Sequence, residues 1–151
     1  MGLTPEATND ELARVLAKLK SDSYASFLGA QITKIERGYA QAVVTVAEHM
    51  LNFNEVAHGG FIFSLADVAF AAACNSFNQT AVALSFHITY RRPVTIGTQL
   101  IAEASEESSG KTTALYKIVV RTDDQRVVAI CEGLAYKLDS SFTENDGPEA
   151  I

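Results

Sequence analysis

One acidic residue stands inside a helix-length run of apolar and small residues, and its surroundings define the chemistry this chain could carry. The run is His58-Gly59-Gly60-Phe61-Ile62-Phe63-Ser64-Leu65-Ala66-Asp67-Val68-Ala69-Phe70-Ala71-Ala72-Ala73-Cys74-Asn75. Apolar residues recur on every face, so the periodicity predicts a helix buried all round. A carboxylate held there is desolvated unless it is paired, and no Lys or Arg lies in the segment to neutralise it. Perturbed carboxylates of this kind concentrate at functional sites. At the helix entrance, Gly59 and Gly60 leave backbone N–H groups unobstructed, with the helix dipole behind them. Such an entrance can polarise a carbonyl and hold developing negative charge. With Asn52 and His58 nearby in sequence, an oxyanion site and a buried carboxylate point to acyl transfer or hydrolysis.

Each of these residues also has a structural reading. Asp67 can bond across a subunit interface, His58 can cap the helix, and Asn52 can order a loop. Ser64 shares the Asp67 face three residues earlier, yet its hydroxyl can simply bond back within the helix. Phe53, Phe61 and Phe63 can line an acyl pocket, with core packing as the default. Arg91 and Arg92 form a local cationic pair that can hold phosphate on an otherwise acidic chain, and Lys111 is a weaker candidate. His49, His58 and His87 lack metal-ligand spacing and have no carboxylate cluster beside them, so no metal is expected. Cys74 and Cys131 lie far apart in apolar segments and are expected as buried free thiols.

The elements that must position these groups follow from length and patterning. The 151 residues fit one compact domain, and 48% hydrophobic content excludes a disordered chain. A net charge of −6 argues against nucleic acid as a partner. No membrane span is expected, because the run from Phe77 to Tyr90 alternates like a strand. The polar, acidic N-terminus lacks a signal-peptide pattern, which points to the cytoplasm. Asn9 or Asp10 can cap a first helix, with Leu12, Val15, Leu16 and Leu19 at helical spacing. A short helical turn around Tyr24, Phe27 and Leu28 should end at Gly29. Two strands, Ala30–Arg37 and Tyr39–Ala47, precede a loop and the apolar helix. Four strands follow: one running from Val82 to Tyr90, a hairpin of Leu100–Glu107 with Thr112–Thr122, and Arg126–Leu138. In the first, Val82, Leu84, Phe86, Ile88 and Tyr90 are expected on one face, with Ala83, Ser85, His87 and Thr89 on the other. The division expected is a helix over 1–22, a main domain over 23–138, and a tail over 139–151 without fixed structure. Strands gathered around a single helix imply an α+β fold in which a curved antiparallel sheet wraps the helix. One sheet cannot cover every face of the helix, so a second subunit is the natural completion.

The segment from Asn52 to Asn75, with His58-Gly59-Gly60 and Ser64-Leu65-Ala66-Asp67, resembles the hotdog-fold thioesterases. The strand Phe86-His87-Ile88-Thr89-Tyr90, followed by Arg92-Pro93, is similar to the phenylacetic-acid-degradation branch of acyl-CoA thioesterases. The resemblance spans roughly residues 24–138, and the HGG and Asp spacing carries most of it. It implies a sheet around a central helix, a homodimer or homotetramer, and active sites between subunits. It also implies roles: Asp67 as general base or nucleophile, the Gly59 N–H as oxyanion donor, His58 at the loop or thioester, and Asn52 orienting water or carbonyl. Ser64, Gly60, Phe61, Arg91 and Arg92 would contact substrate. Some relatives hold the attacking water with a Ser or Thr where this chain has Ala83; Ser85, His87, Asn52 or Ser64 would then replace it. The implied reaction hydrolyses an aromatic or medium-chain acyl-CoA without a cofactor. A hydratase or dehydratase acting on acyl thioesters, or a non-catalytic acyl-CoA binding module, are the alternatives.

Overall fold

A computed structural model describes residues 5–144. Two helices lead the chain, α1 (Pro5–Leu19) and α2 (Ser23–Leu28), followed by strands β1 (Gln31–Glu36) and β2 (Tyr39–Thr45). After a single 3-10 turn at Glu48–Met50 comes the long helix α3 (Gly59–Asn75). The chain then forms β3 (Gln79–Tyr90), β4 (Gln99–Ser109), β5 (Thr113–Thr122) and β6 (Val127–Ser141). The six strands make one antiparallel sheet in the order β1-β2-β4-β5-β6-β3, so β1 and β3 are its edges. This is the expected curved sheet around a central helix.

Close approach of helix and sheet is possible because both surfaces are built from small residues. Ala66, Ala69, Ala72 and Ala73 on α3 are fully buried, as are Ala40 and Ala42 on β2 and Ala102 and Ala104 on β4. One cluster of aromatic rings interrupts these small-residue surfaces. Phe70 meets Phe86 and Tyr116 edge-on, each at 5.6 Å between ring centres, an arrangement favoured by ring quadrupoles. Gly133 on β6 makes room for this cluster, since a Cβ there would stand 2.8 Å from the Phe70 ring.

The structure departs from the sequence expectations at four places. First, α1 starts at Pro5, so Asn9 and Asp10 lie within the helix rather than capping it; proline suits a first turn because its missing N–H has no partner there anyway. Second, β6 runs to Ser141, past the expected start of an unstructured tail. Gln79 pairs with Ser141, and Asn78 accepts from the Phe142 and Thr143 N–H groups, so the polar composition of this stretch conceals backbone pairing. Lys18 of α1 also reaches the Phe142 carbonyl and ring. The remainder of the expected tail, 145–151, lies outside the described residues. Third, α3 is not buried all round. Gly60, Phe63, Ser64, Asp67 and Ala71 form an incompletely covered stripe at helical spacing, because the sheet of one chain reaches only part of the helix. Fourth, a register irregularity between Ala83 and Ser85 interrupts the expected face of β3 and leaves Leu84 45% exposed.

Candidate active site

The helix entrance is built by the loop before it. The Asn52 side-chain oxygen accepts from the Asn54 N–H at 2.8 Å and the Val56 N–H at 3.4 Å, folding residues 52–56 onto themselves. Leu51 pairs with Ala57, and the His58 N–H donates to the Met50 carbonyl at 2.8 Å. His58 then caps α3: its Nδ1 accepts from the Gly60 N–H at 2.8 Å, and its carbonyl accepts from Phe61 and Ile62. An accepting Nδ1 places the proton of the neutral ring on Nε2. These bonds consume every early amide of the helix except one. The Gly59 N–H has no acceptor among the described residues, and the helix dipole points toward it.

Asp67 is half-buried and has neither hydrogen-bond donor nor ion pair among the described residues. Burial, and then the Asp22 carboxylate nearby, hold its pKa above the ordinary 3.8. The same burial, with Asp67 adding to it, pushes the Cys74 thiol up to about 12, and burial does likewise for Cys131. Both cysteines are free and buried, as their settings predict.

A groove runs between α2 and α3, bordered on α3 by Val68, the residue after Asp67. Asp22 caps α2 by accepting from the Tyr24 and Ala25 N–H groups. The Tyr24 hydroxyl then meets Ser64 Oγ at 3.1 Å, while Ser64 donates to the Gly60 carbonyl at 2.8 Å. A cavity of about 540 Å³ opens here, lined by Leu19, Lys20, Asp22, Ala25, Ser26, Gln31 and Ile32 on one side and by Val68 and Ala71 on the other. That volume is ordinary for a small-molecule site.

Other predicted residues fall in varied places. Phe61 is buried in the core at 6% exposure, so it is a packing residue rather than part of the open stripe. Phe63 is the half-open phenylalanine of α3, its ring against Phe86 at 4.8 Å. Phe53 is 93% exposed. Arg91 and Arg92 are exposed and make no ion pair among the described residues. They follow Tyr90, whose hydroxyl donates to the Gly59 carbonyl, so they sit at the helix entrance end. Phe86 and Ile88 pack against the core, whereas His87 and Thr89 line a depression with Glu107, Lys117 and Glu132. Strand alternation therefore turns Ser85 and His87 away from α3 of their own chain.

Within one chain, Gly59 and Asp67 cannot share a carbonyl. They are eight residues apart on one helix, about 12 Å along its axis at 1.5 Å per residue. Three residues of this neighbourhood, Tyr24, Tyr90 and Asp22, were not candidates from sequence. Their partners lie 40 residues away for Tyr24 and 31 for Tyr90, with no local pattern to announce them.

Residues 54–129 match the Thioesterase superfamily. The acyl-coenzyme A thioesterase PaaI of Escherichia coli strain K12 is 38% identical over 127 residues, spanning 84% of this chain and 91% of that protein. The solved structure of Escherichia coli PaaI, from the phenylacetic acid degradation operon, superposes with a TM-score of 0.85 at 35% identity, covering 89% of this chain and 97% of the other. A variant of the phenylacetic acid degradation protein PaaI from Thermus thermophilus gives 0.75 at 34% identity, covering 78% of this chain and 100% of the other. The chain belongs to the thioesterase superfamily: it is a thioester hydrolase with the hotdog fold.

Proposed function

We propose that this protein hydrolyses acyl-CoA thioesters at sites composed from two copies of the chain, Asp67 from one and the Gly59 entrance from the other. The observation that carries this reading is the pair of groups on α3 without partners among the described residues: an open Gly59 N–H at its start, and a half-buried carboxylate about 12 Å further along. Two such helices side by side and reversed would bring one copy's amide to the other's carboxylate.

The Gly59 N–H donates to the thioester carbonyl oxygen and holds the charge that develops there. Asp67, made more basic by burial, removes a proton from water, and the water oxygen adds to the carbonyl carbon. Collapse of the adduct breaks the C–S bond, and the proton held by Asp67 goes to the departing thiolate. His58 keeps the entrance in shape through Nδ1 and the Gly60 N–H. Asn52 supports the same loop through its oxygen, while its amide Nδ2, which has no partner among the described residues, is left to orient water. Arg91 and Arg92 contact the coenzyme A phosphates. The cavity between α2 and α3 takes the acyl group, and its size and the PaaI relationship favour an aromatic or medium-chain acid. The reaction as assigned uses no cofactor.

The test is thiol release from aromatic, short and medium-chain acyl-CoAs by wild type and Asp67→Asn. Turnover by the wild type should fall at least ~100-fold in the folded variant, as expected for loss of a general base. Binding of these thioesters by the wild type without turnover of any of them would make the chain a binding module and overturn the proposal.

A further inference from the structure

Tyr90 ends β3 where that strand meets the helix entrance. Its hydroxyl donates to the Gly59 carbonyl at 2.8 Å. Its ring lies against the Gly59 Cα: a Cβ at Gly59 would stand 3.2 Å from both the ring's Cζ and the hydroxyl oxygen. On the other side of Gly59, the His58 carbonyl accepts from the Phe61 and Ile62 N–H groups at 3.0 and 3.1 Å. The peptide before Gly59, which carries its N–H, is thus held by the helix, and the peptide after it is held by Tyr90 at the Gly59 carbonyl and by His58 Nδ1 at the Gly60 N–H.

An oxyanion donor stabilises a transition state only if its direction is set before charge develops. Glycine is the residue least able to set it unaided, because it has the widest backbone freedom. We propose that Tyr90 is a positioning residue for thioester hydrolysis: by holding the Gly59 carbonyl with its hydroxyl and packing its ring where a Gly59 Cβ would stand, it limits rotation about the Gly59 backbone bonds, so that the N–H on the preceding peptide stays directed at the carbonyl oxygen. This rests on the reading of Gly59 as oxyanion donor. It also accounts for Gly59 itself, since any side chain there would push against the tyrosine that orients the peptide. The phenol is 46% exposed and its bond is made at the surface of the fold, so removing the hydroxyl leaves the core untouched.

Tyr90→Phe keeps the ring and removes the donor. With acyl-CoA substrates, kcat should fall roughly 10- to 100-fold at an unchanged KM, the scale of misplacing a reacting group by a fraction of an ångström to an ångström. The melting temperature should stay within a few degrees of wild type. In the cycle with Gly59→Ala, the double variant should lose less than the product of the two single losses, because both disturb the same contact between Tyr90 and the Gly59 backbone. A wild-type kcat in Tyr90→Phe, a loss confined to KM, or independent losses in the cycle would each overturn the assignment while the thioesterase reading stands. Absence of turnover by the wild type would overturn both.

Discussion

The proposed role of Asp67 as a base fits its surroundings: no donor among the described residues binds the carboxylate, burial removes part of its water, and Asp22 repels its charge. A base works in its ionised form, so hydrolysis should fall as pH drops through the Asp67 pKa, which lies above 3.8. Asp22→Asn removes one of the two influences that raise this pKa while keeping an oxygen to cap α2, a position where Asn and Asp serve equally. The acid limb of kcat/KM should therefore move to lower pH in Asp22→Asn, with the plateau retained. A pH profile in which the limb stays put or moves up would separate Asp22 from the chemistry. At this scale the sequence was legible wherever the signal was local. Asp67 among alanines and the glycine pair behind His58 announce themselves within a few residues. Phe61 and Phe63 look alike in sequence, and only the direction of the sheet decides that one is core and the other half-open. Tyr90 and Tyr24 had no local signal at all, because their partners come from distant elements.

At the level of elements, α3 is held by small residues facing small residues, with one aromatic knot where Phe70, Phe86 and Tyr116 meet. Gly133 lets β6 pass beneath that knot. Gly133→Ala would place a methyl group 2.8–3.1 Å from the Phe70 ring, closer than Cβ contacts ordinarily come, and Phe70 is buried at 1% exposure with Phe86 and Tyr116 against its ring. Overpacking of this kind destabilises by about 1–3 kcal/mol, and thermal or denaturant unfolding should show it. An unchanged midpoint would mean that sheet and helix can separate freely, contrary to the packing described. The order of elements was readable because alternation and helical spacing are strong in this chain, from Tyr39–Thr45 through the β4–β5 hairpin. The bulge in β3 and the last residues of β6 were not. Both depend on which backbone groups a neighbouring strand offers, and the polar residues near Asp139 read as a tail until Gln79 is seen to pair with Ser141.

For the whole molecule, the decisive dimension is the distance along one helix. Gly59 and Asp67 are about 12 Å apart in a single chain, while the proposed mechanism needs both within hydrogen-bond reach of one thioester carbonyl or one water of it. The open stripe of α3 and the exposed edge strand β3 are where a second copy would complete the arrangement. Gly59→Pro removes the open N–H at a first helical position that proline tolerates, and the extended backbone of His58 suits a residue before proline. Its Cβ asks the Tyr90 ring to yield by a few tenths of an ångström. Alone, Gly59→Pro and Asp67→Asn should each lose roughly 100-fold or more in thiol release. The measurement to make is thiol release after the two inactive variants are unfolded together and refolded as a mixture. Half of randomly paired dimers join unlike chains and carry one intact site of two, so activity should return to about a quarter of the wild-type level. A mixture as inactive as its components, with mixed dimers shown to form, would contradict a site shared between copies.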